Sequence, residues 1–237
     1  MWNDFKSEEF VFCERAATIV YPSGTPNGKM LLKPEYLGAF PEFDIEMLKR
    51  GYYLIFISHE SRWAPDNETE IMAKFVLHCA EKLNADKRCI IEGMSCGGLQ
   101  GARLAQMHPE LCAVLYLDNP VLNMLSMYGL GAIDDPGMVS FRREIINTFD
   151  VDDSTILNFR NSPIDHMDKL LENNIPILLI YGNADTVVIY RENGKPLEDY
   201  YKANGGNIKV ICRTMKKHHP HGLEDPTPII EFVEKNF

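Results

Sequence analysis

A serine flanked by glycines, at the junction of a strand-like run and a helix-like run, limits the fold of this chain more than any other feature. The apolar residues 88–92 are followed by Gly93-Met94-Ser95-Cys96-Gly97, and a helix-like segment covers residues 99–107. A strand, then G-x-S-x-G, then a helix is typical of a nucleophile elbow, in which the serine occupies a strained turn. Gly93 and Gly97 remove side chains that would collide with neighbouring backbone. The pattern predicts Ser95 as a nucleophile at the end of a sheet strand.

An ordinary glycine-rich turn is the alternative explanation, because a short pattern with three fixed positions also occurs by chance. The small residues that follow the serine favour the elbow, since they allow a helix to pack closely against a sheet. These residues are Gly97, Gly98, Gly101, Ala102 and Ala105.

Short β-branched and aromatic runs alternate with helix-like segments along most of the 237 residues. Strands are predicted near residues 16–21, 29–33, 52–58, 88–92, 113–117, 176–181 and 208–212. The alternation is typical of a parallel sheet covered by helices. We therefore expect a single α/β domain over residues 1–237, with a mostly parallel, twisted sheet of about seven or eight strands.

Residues 121–161 interrupt this alternation with glycines, prolines and two short helical patterns. We expect a small helical cap insertion over the carboxyl edge of the sheet, where ligands bind in open α/β folds. The alternative is that residues 121–161 form an ordinary surface loop. Four of its apolar residues either form a wall of the substrate pocket or belong to the core, namely Leu125, Met127, Tyr128 and Phe141.

A serine nucleophile needs a histidine to accept its proton and an acid to orient that histidine. After an elbow of this kind the acid precedes the histidine in the chain. Asp185 follows the apolar residues 177–180 and a Gly-Asn turn, and it is the acid candidate. Asp118, at the end of another strand-like run, is the fallback acid. A solvated turn aspartate is the alternative explanation of Asp185.

Three of the seven histidines, His218, His219 and His221, lie within four residues just after the last strand-like run. Either His218 or His221 can reach the sheet edge as the base. Histidine-rich tracts also bind zinc. However, consecutive histidines separated by a proline rarely converge on one ion, and neither H-E-x-x-H nor a cysteine partner accompanies them. We therefore expect no metal here.

An oxyanion hole needs two backbone N–H groups aimed at the developing negative charge. The N–H of Cys96, directly after the nucleophile, is predicted as the first donor. The second donor is expected from the loop at residues 33–38. Because Pro34 has no N–H, Glu35 or Tyr36 is the candidate there.

These residues resemble the α/β-hydrolase superfamily over nearly the whole chain. The resemblance rests on the elbow, residues 181–188 and residues 218–226, and more narrowly it is to bacterial esterase-like hydrolases of the prolyl-oligopeptidase or dienelactone-hydrolase type. It implies Ser95 as nucleophile, Asp185 as acid and a histidine after the last strand as base. His218 occupies the family's catalytic place, whereas His221 matches a second local form, His-Gly, and stays an alternative.

The expected function is hydrolysis of a small carboxylic ester or acyl substrate through an acyl-enzyme, with no cofactor. A peptidase or thioesterase with the same triad is the alternative within enzymes, since only the acyl pocket and the leaving-group site differ. A non-catalytic binding member of the same fold is the alternative outside enzymes.

Charge and terminal sequence restrict the partners and the compartment. A formal net charge of −10 disfavours nucleic acid and anionic membranes as partners. The acidic N-terminal residues do not form a signal peptide, and the six cysteines lack C-x-x-C spacing. A cytoplasmic location is therefore expected. The oligomeric state is left open.

Overall fold

A computed structural model describes residues 1–129 and 136–237, and within these ranges eight strands form one sheet. The strands are β1 (Ser7–Phe12), β2 (Arg15–Val20), β3 (Met30–Leu32), β4 (Tyr53–Ile57), β5 (Cys89–Met94), β6 (Cys112–Asp118), β7 (Ile177–Gly182) and β8 (Ile208–Arg213). Their order across the sheet is β1-β2-β4-β3-β5-β6-β7-β8. β2 is antiparallel to both of its neighbours, and the remaining pairs are parallel. The prediction of a mostly parallel α/β sheet is confirmed.

Helices cover both faces of this sheet. In the described part of the chain they are α1 (Glu42–Lys49), α2 (Asp66–Leu83), α3 (Cys96–Met107), α4 (Met124–Tyr128), α5 (Pro136–Phe149), α6 (Met167–Glu172), α7 (Gly194–Ala203) and α8 (Thr227–Asn236). Because side chains alternate along a strand, Ile91 packs in the cluster with α2 and α3, and Ile90 packs in the cluster with α1 and α8. No helix in the described ranges has both the length and the apolar character to span a bilayer.

The predicted insertion at residues 121–161 lies partly outside the described residues, since residues 130–135 are not described. Its described part contains α4 and α5, which bury a third apolar cluster together with Trp63, Cys96 and Val188. Cys96 directly follows the elbow serine, so these helices pack at the same end of the sheet as Ser95. The single-domain boundary and the cap role stay predictions.

Candidate active site

Ser95 joins the end of β5 to the start of α3 in a backbone conformation that few residues adopt. Its φ is 51° and its ψ is −120°, and such strain persists only where the surrounding structure imposes it. The backbone N–H of Ser95 donates to the carbonyl of Asp118, and its carbonyl accepts from the N–H of Gly98 and of Val121. The neighbouring strand β6 and its following loop therefore hold the turn in place.

Close backbone approach explains the glycines on each side of this turn. A Cβ on Gly93 would lie 2.6 Å from the Cα of Gly98, and a Cβ on Gly98 would lie 2.5 Å from the Cβ of Pro120. A Cβ on Gly97 would lie 3.2 Å from the Cβ of Glu35, which is tight but not prohibitive. A side chain is therefore sterically excluded at Gly93, as the sequence predicts. The second position where a side chain is excluded is Gly98 rather than Gly97.

Ser95, His218 and Asp185 form a continuous hydrogen-bonded chain. His218 Nε2 lies 3.0 Å from Ser95 Oγ, and His218 Nδ1 lies 2.7 Å from Asp185 Oδ2. His218 and Ser95 are 6% and 9% exposed, so the chain is largely shielded from water. The three residues come from the ends of β5 and β7 and from the loop after β8, which meet at the carboxyl edge of the sheet.

The Asp185 carboxylate is held in its charged form by its surroundings. Burial alone raises its pKa, but the hydrogen bond and charge of His218 and the backbone N–H groups of Val188 and Val187 outweigh burial and lower the pKa below its ordinary value. Those N–H groups lie 3.0 Å and 2.8 Å from Asp185 Oδ1. One carboxylate oxygen is thus fixed by the backbone, and the other is left for the histidine.

Asn119, which the sequence analysis did not identify, ties the histidine loop to the sheet. Its Oδ1 accepts the N–H of Gly182 at 2.8 Å, and its Nδ2 donates to the carbonyl of His218 at 2.9 Å. Gly182 lets the loop come close, because a Cβ there would lie 2.4 Å from the carbonyl oxygen of Lys216. The available signal was the position of Asn119 directly after β6, at the edge where functional residues collect.

A second aspartate–histidine pair lies beside the first. His221 Nδ1 is 2.9 Å from Asp118 Oδ1, and the same carboxylate accepts from Arg213 at 2.8 Å and from the N–H of Gly222 at 2.8 Å. The fallback acid and the alternative base therefore pair with each other. The structure places Ser95 against His218 instead.

The three histidine side chains converge. The ring centroids of His218, His219 and His221 lie 4.7 to 5.0 Å apart, and one ring nitrogen from each lies within 4.8 Å of the other two. His219 is exposed and stacks on Phe40. Burial, together with the charged forms of His218 and His221, lowers the pKa of His219. The rings therefore lie together, whereas the sequence argument was that histidines in this arrangement rarely converge on one ion. The expectation that no metal binds here stays a prediction.

The predicted oxyanion residues differ in their surroundings. Cys96 is the first residue of α3, so its N–H has no acceptor within the helix. Burial raises the pKa of its thiol to about 11, which keeps the sulfur protonated. The Glu35 carboxylate accepts from Gln100 at 2.9 Å. Tyr36 lines the cavity next to Ser95, with a φ of 59°, and burial followed by the nearby Cys96 thiol raises the pKa of its phenol.

A cavity of about 340 Å³ opens onto Ser95 and the histidines. Two of the four residues predicted as an apolar wall, Met127 and Phe141, line it. Tyr128 is instead fully buried in the core, with its hydroxyl 2.7 Å from Asp153, and Leu125 packs on the same cluster. Further lining residues are Tyr36, Ala39, Phe40, Arg62, Cys96 and Val187.

Arg62 brings a guanidinium to this cavity. It forms two hydrogen bonds of 2.9 Å to the Glu144 carboxylate, which also accepts from Trp63 Nε1 at 3.0 Å. Glu144 belongs to α5, so this ion pair joins the insertion to the loop after β4. The sequence analysis did not identify Arg62, whose position after β4 places it at the same sheet edge.

A buried cluster of charged residues lies directly before the elbow. Lys33 Nζ is 2.6 Å from Asp44 Oδ2 and 3.7 Å from Glu92 Oε1, and all three side chains are fully buried. Burial and the nearby Asp44 carboxylate raise the pKa of Glu92 well above its ordinary value. This environment favours the neutral form of the Glu92 carboxyl over the charged form.

This chain is similar in sequence to known proteins. A sequence model described as the prolyl oligopeptidase family matches residues 63–236. The acylamino-acid-releasing enzyme of Mus musculus is 23% identical over 208 residues, which cover 81% of this chain and 27% of that enzyme. This chain thus spans about a quarter of the length of that relative.

Solved structures share the fold at low identity. The acylaminoacyl peptidase of Pyrococcus horikoshii is 16% identical with a TM-score of 0.73, and the match covers 98% of this chain and 42% of that one. A puromycin-hydrolyzing peptidase of Mycobacterium tuberculosis is 12% identical with a TM-score of 0.73, and the match covers 98% and 39%. These similarities concern the α/β fold.

Proposed function

Because this chain belongs to the prolyl oligopeptidase family of serine hydrolases, we propose that it cleaves acyl bonds through an acyl-enzyme formed on Ser95. The observation that carries the proposal is the unbroken chain from Ser95 Oγ to His218 Nε2 at 3.0 Å and from His218 Nδ1 to Asp185 at 2.7 Å. Asp185, His218 and Ser95 take the roles of acid, base and nucleophile.

Each proton in this mechanism has a defined acceptor. His218 Nε2 accepts the Ser95 proton as Oγ attacks the substrate carbonyl, while Asp185 stabilises the imidazolium through Nδ1–H. His218 then donates that proton to the leaving group, whose bond to the acyl carbon breaks. Water enters, gives its proton to His218 and releases the acid by the same steps in reverse.

Two backbone N–H groups stabilise the developing oxyanion in this proposal. Cys96 supplies the first N–H from the start of α3, where the helix dipole also favours negative charge. Of the two candidates for the second donor we favour Tyr36, because Tyr36 lines the cavity with Ser95 and Glu35 does not.

For the substrate class, we favour peptides and related aminoacyl amides with an apolar acyl part. Two observations support this choice: the two solved structures named above are of peptidases, and Met127, Phe141 and Val187 line the cavity beside Ser95. An activated ester has a better leaving group and meets the same triad, so ester hydrolysis accompanies peptidase activity. A specialised carboxylesterase is the second candidate.

A matched pair of substrates separates these candidates. A p-nitroanilide and a p-nitrophenyl ester of the same N-acetylated leucine are incubated with wild type, Ser95→Ala and Ser23→Ala, an exposed serine outside the cavity. We expect wild type and Ser23→Ala to cleave both substrates and Ser95→Ala to cleave neither. Cleavage of the ester alone supports the carboxylesterase, and cleavage of neither by wild type overturns the hydrolase proposal.

The cellular context stays a proposal. The six cysteines are free thiols, which fits a reducing compartment such as the cytoplasm. The net charge of −10 fits a small acyl substrate better than nucleic acid or an anionic membrane.

A further inference from the structure

The cluster formed by His218, His219 and His221 holds more imidazole groups than the proposed triad uses. We propose that this cluster binds a zinc ion, and that the bound ion inhibits the hydrolase by occupying His218 Nε2. The inhibitory part rests on the proposed function, because it requires His218 to be the base. The zinc site itself does not.

A carboxylate holds each of the two buried histidines, as is common for histidines that bind zinc. His218 Nδ1 lies 2.7 Å from Asp185, and His221 Nδ1 lies 2.9 Å from Asp118. A carboxylate on one ring nitrogen fixes the tautomer, orients the ring and leaves the other nitrogen as a metal ligand. In both rings Nε2 is therefore the nitrogen that a carboxylate does not hold, and in His218 this nitrogen faces Ser95 Oγ at 3.0 Å. The two carboxylates come from the end of β6 and from the loop after its neighbour β7.

His221 Nε2 has no role in the hydrogen bonding of the described residues. It is buried, it has no hydrogen-bond partner there, and the residue is 5% exposed. His221 also lines the same cavity as Ser95 and His219. Buried polar atoms are nearly always satisfied, so a nitrogen left unpaired in a cavity indicates a ligand.

The spacing of the rings requires a small closure on binding. The ligand atoms of the three histidines lie within 4.8 Å of one another. A tetrahedral zinc ion at 2.0–2.1 Å from each nitrogen needs nitrogen separations of about 3.4 Å. His219 is exposed, so its ring can move inward without displacing buried side chains.

Zinc at this position and catalysis exclude each other. The lone pair of neutral His218 Nε2 is the acceptor for the Ser95 proton, at a distance of 3.0 Å. When that lone pair binds zinc, Ser95 keeps its proton and has no base. No covalent bond forms or breaks, so removal of the ion restores the acceptor.

Calorimetry tests the site without reference to activity. Zinc chloride is titrated into the full chain without an affinity tag, and into His219→Gln, His221→Gln and the control His166→Gln, which replaces a histidine outside the cluster. We expect one zinc ion per chain for wild type and for the control. Loss of a ligand is expected to weaken binding by about tenfold or more in each cluster variant. Magnesium is expected not to bind, because it prefers oxygen ligands.

His219→Gln keeps the test valid if His221→Gln fails to fold, because His219 is exposed. Absence of zinc binding by wild type, or equal affinity in wild type and folded His219→Gln, overturns the zinc site.

The inhibitory part is tested with a fluorophosphonate probe that reacts with activated serines. The labelling rate of each protein is measured with and without zinc and expressed relative to its own zinc-free rate. We expect zinc to reduce the wild-type rate by about tenfold or more at saturation, EDTA to restore it, and His219→Gln to need correspondingly more zinc. Zinc binding without any slowing of labelling overturns the inhibition. Absence of labelling without zinc instead counts against the proposed hydrolase, and calorimetry still decides the zinc site.

Discussion

Two aspartate–histidine pairs lie side by side at the carboxyl edge of this sheet, and their hydrogen bonds differ. In the pair Asp185–His218 the carboxylate is held by backbone N–H groups, and Nε2 faces Ser95 at 3.0 Å. In the pair Asp118–His221 the carboxylate also accepts from Arg213, and Nε2 has no partner among the described residues. The residue types are the same, so the partners must decide what each pair does.

The difference indicates a division of roles. Among the described residues the only cationic partner of Asp185 is the histidine, so its charge acts on His218. Asp118 is fully buried against Arg213, whose side chain is 8% exposed, and this ion pair joins β6 to the end of β8. We therefore assign the first pair to catalysis and the second to holding the histidine loop.

The largest expected effect is on the rate of hydrolysis. His218→Gln removes the base and is expected to lower kcat by about 10⁴-fold or more. His221→Gln leaves the hydrogen-bonded chain from Ser95 to Asp185 intact, so the decrease in its kcat is expected to be much smaller. Steady-state hydrolysis of the p-nitrophenyl ester measures both, with circular dichroism as the folding control. Equal losses in the two variants would remove the distinction between the pairs.

The second-largest expected effect is on stability. Here substitution in the pair Asp118–His221 is expected to cost more than substitution in the pair Asp185–His218. Asp118→Asn leaves the buried Arg213 guanidinium without its counter-charge and is expected to lower the free energy of unfolding by about 3–5 kcal/mol. Asp185→Asn leaves no buried cation and is expected to cost less stability, while lowering kcat by about 10⁴-fold. Urea denaturation of both variants measures the difference. A larger stability loss for Asp185→Asn would reverse the assignment.

The pH dependence of stability is a smaller effect of the catalytic pair. The folded pKa of Asp185 lies below its ordinary value of 3.8, so the unfolded chain binds the proton first as the pH falls. The stability that this carboxylate contributes is therefore complete above pH 3.8 and is lost as the pH falls through the folded pKa. We expect the gap in free energy of unfolding between wild type and Asp185→Asn to be constant at higher pH and to shrink below that value. A gap that widens in acid would contradict the lowered pKa.

The smallest expected effect concerns Tyr36, which lines the cavity that both histidines reach. Tyr36→Phe removes the phenol and keeps the backbone N–H, so kcat is expected to change by a few-fold at most. Loss of an oxyanion donor costs about 10²–10³-fold in kcat. A loss of that size in Tyr36→Phe would assign the second donor to the phenol hydroxyl.

The sequence predicted correctly those features that depend on residues close together in the chain. The alternation of short apolar runs predicted strands β2 to β8, and the elbow and the Gly-Asn turn located Ser95 and Asp185 at strand ends. β1 was missed because Ser7–Phe12 carries Glu8 and Glu9, leaves Val11 76% exposed, and is a strand only through its pairing with β2.

The choice between His218 and His221 could not be made from local sequence. It depends on the path of the loop after β8, and that path is set by contacts from distant parts of the chain. Asn119 binds the backbone of His218 from the end of β6, and Asp118 binds His221 from the same strand. The convergence of the three rings has the same origin.

Identification of the residue that a fluorophosphonate probe labels tests the central claim most directly. Labelled wild type, Ser95→Ala, His218→Gln and His221→Gln are digested and mapped by mass spectrometry. We predict one adduct per chain, on Ser95, in wild type and in His221→Gln, slow labelling of His218→Gln and none of Ser95→Ala. Absence of an adduct in wild type, an adduct on another residue, or slow labelling of His221→Gln with rapid labelling of His218→Gln would contradict the account.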